Sequence, residues 1–349
     1  MKRFALFLAV ALSLSSCGTF LLHDSFSGDD WFYLENKSTV MPVWVTGNIE
    51  SKVFIIWIHG GPGDAATFMP LTDVFKELHD DYALVYWDQR GSGLSQGNAR
   101  PDDYYMEQFV EDLERLIALV RYRYSNPTLF LMGSSWGGTL GTAFLAKPEN
   151  QAHISGFISV SGAFSLRDSI RLSREWTMEM ASRQIALNID VGYWRQELAW
   201  YRHNQRVPSN ALGRHWRNID NLDGYIINYS NASANMPFSS FIFFSPSSLA
   251  YYRNHDFMQP KMWPWLAHID LLPEMQNIKI PALVLGGRHD GAVPFQIAEM
   301  GFDSLGTNST RKSLYIFENS AHSFFWEEPD IFVFLVREFV QTNIGNKDY

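Results

Sequence analysis

The hydrophobic positions of the chain form short apolar runs that alternate with longer segments of helical spacing. Val53–Ile58 is apolar at every position and rich in β-branched residues, which is typical of a strand buried on both faces. Ahead of it, Trp31–Glu35 and Met41–Thr46 predict an opening hairpin. Five further strands are predicted, at Ala83–Trp87, Leu129–Met132, Ile154–Val160, Pro281–Gly286 and Ser313–Phe317.

Segments with the 3.6-residue period separate these strands. The clearest runs from Met106 to Val120, and Arg121 and Arg123 follow it, as a helix C-terminus favours. A closing helix is predicted with Pro329 in its first turn. Alternating strands and helices predict an α/β fold with a mostly parallel sheet flanked by helices.

The alternation is interrupted over residues 163–277, which are rich in Trp and Tyr and helix-like. We therefore expect an inserted helical cap domain at 163–277. The core would then comprise residues 30–162 and 278–349. The chain of 349 residues is long enough for one large domain with such an insertion.

The first residues predict export and lipidation. Lys2 and Arg3 precede the apolar run Phe4–Leu14, which is too short to span a bilayer. The sequence LSSC ending at Cys17 resembles the bacterial lipobox, whose cysteine is acylated. We expect a lipoprotein signal peptide at 1–16, lipidation at Cys17, a tether at 17–29, and a lipid-anchored protein of the bacterial envelope, with the outer membrane favoured. The alternative is an ordinary secretory signal in which Cys17 is incidental.

Charge and cysteine content limit the possible functions and bonds. The net charge is −9 and no basic run stands out after the signal, which argues against a nucleic-acid binder. A single cysteine excludes an intramolecular disulfide.

The sharpest motif is GSSWGG at 133–138, between a predicted strand and a helix-like segment. In this setting G-x-S-x-G places a nucleophilic serine on a strained elbow. Only Ser135 has glycine two positions before and after it, so it is preferred to Ser134. The alternative reading is a Gly/Ser turn after a buried strand.

A serine nucleophile needs a base and an orienting acid, which in this arrangement follow it in the order Asp or Glu, then His. Asp290 follows the strand Pro281–Gly286, and His322 follows Ser313–Phe317. His322 would take the serine proton, and Asp290 would fix its tautomer. The oxyanion donors would be the N–H groups of Trp136 and of Gly61 in the HGGPG loop.

Five motifs together resemble the proline iminopeptidase family of α/β-hydrolases. They are HGGPG at 59–63, DQRGSGLS at 88–95, GSSWGG at 133–138, GRHD at 287–290 and AHS at 321–323. The resemblance implies the triad Ser135, Asp290 and His322, the oxyanion donors Gly61 and Trp136, no metal or cofactor, and a bracing role for Asp88 and Arg90. The family's elbow usually reads GGSWGG, and Ser134 replaces its second glycine here.

Family members with aminopeptidase activity carry cap glutamates that hold the substrate's ammonium group, often in a W-x-x-W-E stretch. No such stretch occurs between 163 and 277. Glu175, Glu179 and Glu197 are the available carboxylates, and a solvated helix face is the alternative role for each.

The sequence thus predicts a serine hydrolase that forms an acyl-enzyme on Ser135 and releases N-terminal proline or small residues from short peptides. One alternative is an esterase or amidase for small apolar acyl compounds. The other is a non-catalytic envelope protein that binds a ligand or partner. The expected partners are a small molecule or short peptide and, through Cys17, a membrane.

Overall fold

The computed structural model describes residues 29–97, 100–235, 258 and 261–345. The predicted signal peptide, Cys17 and the tether up to residue 28 lie outside the described residues. Within the described ranges, no helix is long and apolar enough to cross a membrane.

Nine strands of the described chain form one sheet in the spatial order β1-β2-β4-β3-β6-β7-β8-β9, with the short β5 paired to β2. All neighbouring pairs from β4 through β9 along this order are parallel, and β2 is antiparallel to β1, β4 and β5. The strands are β1 Asp30–Asn36, β2 Thr39–Gly47, β3 Val53–Ile58, β4 Ala83–Trp87, β5 Gln96–Gly97, β6 Thr128–Ser134, β7 Gly156–Val160, β8 Ala282–Gly287 and β9 Lys312–Phe317.

The strand β3 shows why its sequence is apolar at every position. All six of its residues are buried. Phe54, Ile56 and Ile58 belong to one hydrophobic cluster, and the alternate residues Ile55 and Trp57 belong to a second cluster on the other face. Because successive side chains of a strand point to opposite faces, both faces of the sheet must be covered.

Helices provide that cover. Leu113 and Leu140, from two different helices, pack into the first cluster, and Phe75 and Phe332 pack into the second. The predicted α/β fold with a mostly parallel, helix-flanked sheet is confirmed. The core helices are α1 Asp73–His79, α2 Met106–Arg123, α3 Trp136–Leu145, α4 Pro148–Gln151, α9 Phe295–Ser304, α10 Phe324–Glu327 and α11 Pro329–Asn343.

The described residues between β7 and β8 form helices and turns, apart from an isolated bridge between Ser165 and Asp270. We call residues 161–281 the inserted segment. It contains the stretch 163–277 for which a cap was expected, and the boundaries of a cap domain stay a prediction. Its helices are α5 Leu166–Ala186, α6 Val191–His203, α7 Leu212–Asp220 and α8 Tyr229–Asn235, followed by helical residues 261–266.

Candidate active site

Ser135 occupies a strained turn between β6 and α3. Its backbone has φ 52° and ψ −115°, a conformation that L-residues rarely adopt. A Cβ atom at Gly133 would lie 2.4 Å from the carbonyl oxygen of Gly137, and one at Gly137 would lie 1.9 Å from that of Ile58. Backbone contact therefore requires both glycines of the G-x-S-x-G motif. Ser135 is partly exposed, while Ser134 is buried.

Asp290 and His322 are hydrogen-bonded to each other. Asp290 follows β8 and is almost fully buried, and its Oδ2 lies 2.7 Å from Nδ1 of His322. Its Oδ1 accepts the backbone N–H groups of Ala292 and Val293, at 2.8 and 2.7 Å. Because both carboxylate oxygens are engaged, Asp290 is oriented with one oxygen toward the imidazole.

The electrostatic environment favours protonation of His322. Burial lowers the pKa of His322, but the charge of Asp290 and its hydrogen bond raise it, and Asp64 adds to that effect. The net pKa lies above the usual value near 6.5. A raised pKa makes this imidazole a stronger base than a histidine in water.

The three residues lie at the carboxyl-terminal ends of the parallel strands. Ser135, Asp290 and His322 follow β6, β8 and β9, which run parallel with β7 between β6 and β8. The end of β7 joins two of them, because Val160 accepts the N–H of Ser135 at 2.9 Å and Ser161 Oγ donates to the carbonyl of His322 at 3.1 Å. The sheet thus gathers the three candidate triad residues, which are separated by up to 187 positions (322 − 135).

The glycine-rich loop after β3 lies against Ser135. A Cβ atom at Gly60 would be 3.4 Å from Cβ of Ser135. Gly61 has φ +107°, and a Cβ there would lie 2.6 Å from the backbone nitrogen of Gly63, so this position also demands glycine. On the other side, Trp136 is the first residue of α3, where the helix leaves N–H groups without an internal partner.

A buried network that the sequence did not reveal supports this loop. Nε2 of His59 accepts the backbone N–H of Gln89 at 3.1 Å, so the ring proton resides on Nδ1, which donates to the carbonyl of Gly60 at 2.9 Å. Burial lowers the pKa of His59 to about 4, which keeps the ring neutral. Gln89 also accepts the indole N–H of Trp136 at 2.8 Å. The network joins the peptide between Gly60 and Gly61 to the side chain of Trp136. Its sequence signals were the position of His59 directly before the glycine-rich turn and that of Gln89 in DQRGSGLS.

Asp88 and Arg90 have the bracing contacts that the resemblance implied. Asp88 is buried and accepts N–H groups from two loops, those of Ala66 and Leu94 at 2.6 and 2.8 Å. Arg90 is fully buried and pairs with Asp112 of α2, with Nη2 2.7 Å from Oδ1. Within the part of the chain that the structure describes, neither residue forms a hydrogen bond with Ser135 or His322.

The three candidate glutamates Glu175, Glu179 and Glu197 differ in their surroundings. Glu197 is buried and receives two hydrogen bonds from Arg214, at 2.8 and 2.7 Å, and one from Asn218 at 2.8 Å. Burial raises the pKa of Glu197, but these bonds outweigh that effect, and the pKa is lowered. Glu197 is therefore neither a solvent-exposed helix residue nor a carboxylate that is open to a substrate amine.

Glu175 and Glu179 are exposed on α5, and each pairs with an arginine of the same helix. Both line a cavity of about 180 Å³ together with Trp176, Arg288 and Asp290. Ser135 and His322 are not among the residues that line this cavity. Across the described ranges, no cluster of three or more His, Cys, Asp or Glu residues is arranged to hold a metal ion.

Comparison with known proteins agrees with this geometry. The pattern of the alpha/beta hydrolase fold family matches residues 53–329. The probable aminopeptidase YbaC of Bacillus subtilis (strain 168) is 24% identical over 307 residues, covering 84% of this chain and 91% of that protein. The proline iminopeptidase of Saccharolobus solfataricus is 25% identical over 296 residues, covering 82% and 84%.

Among solved structures, the proline iminopeptidase of Mycobacterium smegmatis superposes with a TM-score of 0.62 at 16% identity, covering 90% of this chain and 98% of that one. The expected resemblance to proline iminopeptidases is thus confirmed. The chain belongs to the α/β-hydrolase fold family and is a hydrolase with proline iminopeptidases among its relatives.

Proposed function

We propose that the protein is a serine hydrolase that acts through an acyl-enzyme on Ser135. The observation that carries this proposal is the hydrogen bond of 2.7 Å between Asp290 and His322, at the sheet edge where Ser135 sits on its elbow. Asp290 holds the proton of the neutral imidazole on Nδ1, which leaves Nε2 free to accept the serine proton.

In the first half-reaction, Ser135 Oγ attacks the substrate carbonyl and His322 takes its proton. The N–H groups of Gly61 and Trp136 stabilise the oxyanion of the tetrahedral intermediate. His322 then protonates the leaving group, and the acyl-enzyme forms. In the second half-reaction, water attacks the acyl group with His322 as base, and Ser135 is regenerated.

We propose N-terminal proline or another small residue of a short peptide as the group released. Relatives named proline iminopeptidase or aminopeptidase support this choice. Of the three candidate glutamates, Glu175 and Glu179 remain for a substrate ammonium group because they are exposed, whereas Glu197 is buried and bound by Arg214. That engagement of Glu197 favours the second candidate, an esterase or amidase for small apolar acyl compounds.

Turnover of proline-arylamide and of short-chain aryl esters tests both candidates. Ser135→Ala is expected to abolish turnover, and Ser134→Ala is the matched control at the neighbouring position. Cleavage of the arylamide by the wild type supports the aminopeptidase, and cleavage of esters alone supports the esterase. Undiminished activity in Ser135→Ala would refute the serine mechanism, and a wild type inert toward both classes would favour a binding protein.

We also propose that acylated Cys17 anchors the protein to the bacterial envelope. The proposal rests on the LSSC sequence after the short apolar run Phe4–Leu14. Cys17→Ser is expected to release the protein from membranes on fractionation and to leave turnover unchanged. Membrane retention of that variant would contradict the anchor.

A further inference from the structure

Two consecutive carbonyl groups of the inserted segment bind the loops that carry Asp290 and His322. The carbonyl of Gly224 accepts the N–H of Gly291 at 2.9 Å, and Gly291 directly follows Asp290. The carbonyl of Tyr225 accepts the N–H of Ser323 at 3.1 Å, and Ser323 directly follows His322. One dipeptide therefore spans the two loops. The ring of Tyr225 also packs edge-on against the imidazole, with 5.7 Å between ring centroids.

A second contact of the inserted segment reaches the loop after β8 that carries Asp290, which we call the acid loop. Oγ of Ser173, on α5, donates a hydrogen bond to the carbonyl oxygen of Gly291. Ser173 is fully buried. Gly291 is thus held at both backbone polar groups by residues of the inserted segment, one through its N–H and one through its carbonyl.

The hydrogen bonds that continue from Ser173 into the inserted segment can have only one set of donors and acceptors. Ser173 has a single hydroxyl proton, which goes to Gly291, so its oxygen must accept the bond of 3.0 Å from Nε2 of His215. Nδ1 of His215 then accepts the hydroxyl proton of Tyr201 at 2.8 Å. The oxygen of Tyr201 in turn accepts from Asn218 Nδ2 at 3.2 Å.

This chain of hydrogen bonds is buried and ends in an ion pair. Asn218 Nδ2 also donates to Glu197 at 2.8 Å, and Glu197 pairs with Arg214. Burial, together with the charge of Arg174, lowers the pKa of His215 to about 3, so the ring stays neutral and keeps one donor and one acceptor. A buried, fully paired network of this kind specifies one geometry for its members.

We propose that the inserted segment positions the Asp290–His322 pair, and that Ser173 is the positioning residue that acts on it through Gly291. The proposal rests on the proposed catalytic roles of Asp290 and His322. In this proposal, the chain of hydrogen bonds that runs from Ser173 to Glu197 holds Ser173 in place. Glu197 then has a structural role and does not bind substrate.

The expected effect of losing the Ser173 contact follows from the compact conformation of the acid loop. The carboxylate of Asp290 binds the N–H groups of Ala292 and Val293, so residues 290–293 form one compact turn. Loss of the anchor at Gly291 would let this turn move as a unit and lengthen the contact from Asp290 to His322. Displacements near 1 Å reduce catalytic rates by about a hundredfold.

Ser173→Ala tests the proposal, with Ser169→Ala as a matched control. Ser169 lies one turn earlier on α5, is equally buried, and donates at 2.8 Å to Ser165 of its own segment. For Ser173→Ala we expect kcat to fall by about tenfold to a hundredfold with KM unchanged. The acid limb of the pH profile of kcat/KM should move to lower pH, because a weaker contact with Asp290 raises the pKa of His322 less. Ser169→Ala should leave kcat and the acid limb at their wild-type values.

Equal kcat values and equal acid limbs in Ser173→Ala and Ser169→Ala would overturn the inference if Ser135→Ala is inactive. Activity in Ser135→Ala would instead overturn the proposed function on which the inference rests. Ser173→Cys replaces the hydroxyl with a somewhat larger thiol that is still a weak donor, and a smaller loss of kcat with a smaller pH shift is expected. If Ser173→Ala does not fold, a wild-type kcat and an unshifted acid limb in Ser173→Cys overturn the inference.

Discussion

Asp290→Asn tests the assigned roles of both oxygens of the carboxylate. Oδ1 binds two buried N–H groups, those of Ala292 and Val293, and Oδ2 binds His322. Asparagine has one oxygen and one amide nitrogen. If its oxygen faced His322, its NH₂ group would meet the two backbone donors and leave both unpaired, at a cost of about 2–6 kcal/mol in total. We therefore expect the oxygen to stay with the backbone and the NH₂ group to face the imidazole.

This orientation predicts a large loss of activity. An NH₂ group that donates to Nδ1 of His322 places the ring proton on Nε2, and such a ring cannot accept the proton of Ser135. The same substitution in another triad enzyme lowers kcat by about 10⁴, which corresponds to about 5 kcal/mol of transition-state stabilisation. We expect a loss of that order here.

The pH dependence gives a second, independent readout. Burial lowers the pKa of His322, and the charge and hydrogen bond of Asp290 reverse that effect in the wild type. Without Asp290 only Asp64 opposes burial, so the pKa should fall. The residual activity of Asp290→Asn should therefore have its acid limb at lower pH than the wild type.

The assay is kcat and kcat/KM between pH 5 and 9 on the substrate that the wild type cleaves, with thermal unfolding as a control for folding. A folded Asp290→Asn protein that keeps more than a tenth of the wild-type kcat, with an unshifted acid limb, would refute the assigned hydrogen bonds.

Three further predictions concern buried ionisable side chains. Arg90→Met should lower the free energy of unfolding by about 3–5 kcal/mol because Asp112 stays buried without its positively charged partner. Adding Asp112→Leu should recover part of that loss, and wild-type stability of the single variant in urea would contradict the prediction. Glu197→Gln should lower that free energy by about 1–3 kcal/mol without raising KM, and a tenfold rise in KM for amine substrates would return Glu197 to the substrate site. Because burial lowers the pKa values of His59 and His215 to about 4 and about 3, the unfolded state binds more protons than the native state below pH 6.5. Stability should therefore fall by about 1.5 kcal/mol for each histidine between pH 6.5 and 5, and equal urea midpoints at the two pH values would contradict it.

The strands were predictable because burial on two faces leaves a direct mark in the sequence. Val53–Ile58 matches β3 residue for residue, and Ala83–Trp87 matches β4. β9 was found despite weaker burial, and its alternating exposure reflects its place at the edge of the sheet. The glycines of the G-x-S-x-G motif were predictable for a related reason. The backbone lies so close to Gly133 and Gly137 that neither position has room for a Cβ atom.

Side-chain partners were not predictable from the same patterns. The pattern of apolar residues indicates that a segment is buried, but it does not indicate which polar group meets which. Gln89 bonds to Trp136 across 47 positions, and Ser173 bonds to Gly291 across 118. Glu197 has the sequence context of a solvated helix residue, yet the fold brings Arg214 and Asn218 to it. Such contacts depend on tertiary packing between segments that are distant in the chain.

The position of the inserted segment provides a structural basis for its proposed influence on catalysis. Loops at the carboxyl edge of a parallel sheet are held by their strands at the base and have no strand above them. Here Trp176 of α5 packs against Gly291 so closely that a Cβ at that glycine would lie 2.5 Å from the indole ring. Gly224 meets the same ring, with 2.7 Å to a Cβ built there. Because two glycines from different parts of the chain are needed to seat one tryptophan, the acid loop and the inserted segment form a single packed unit, and a shift of α5 would displace Asp290 with it.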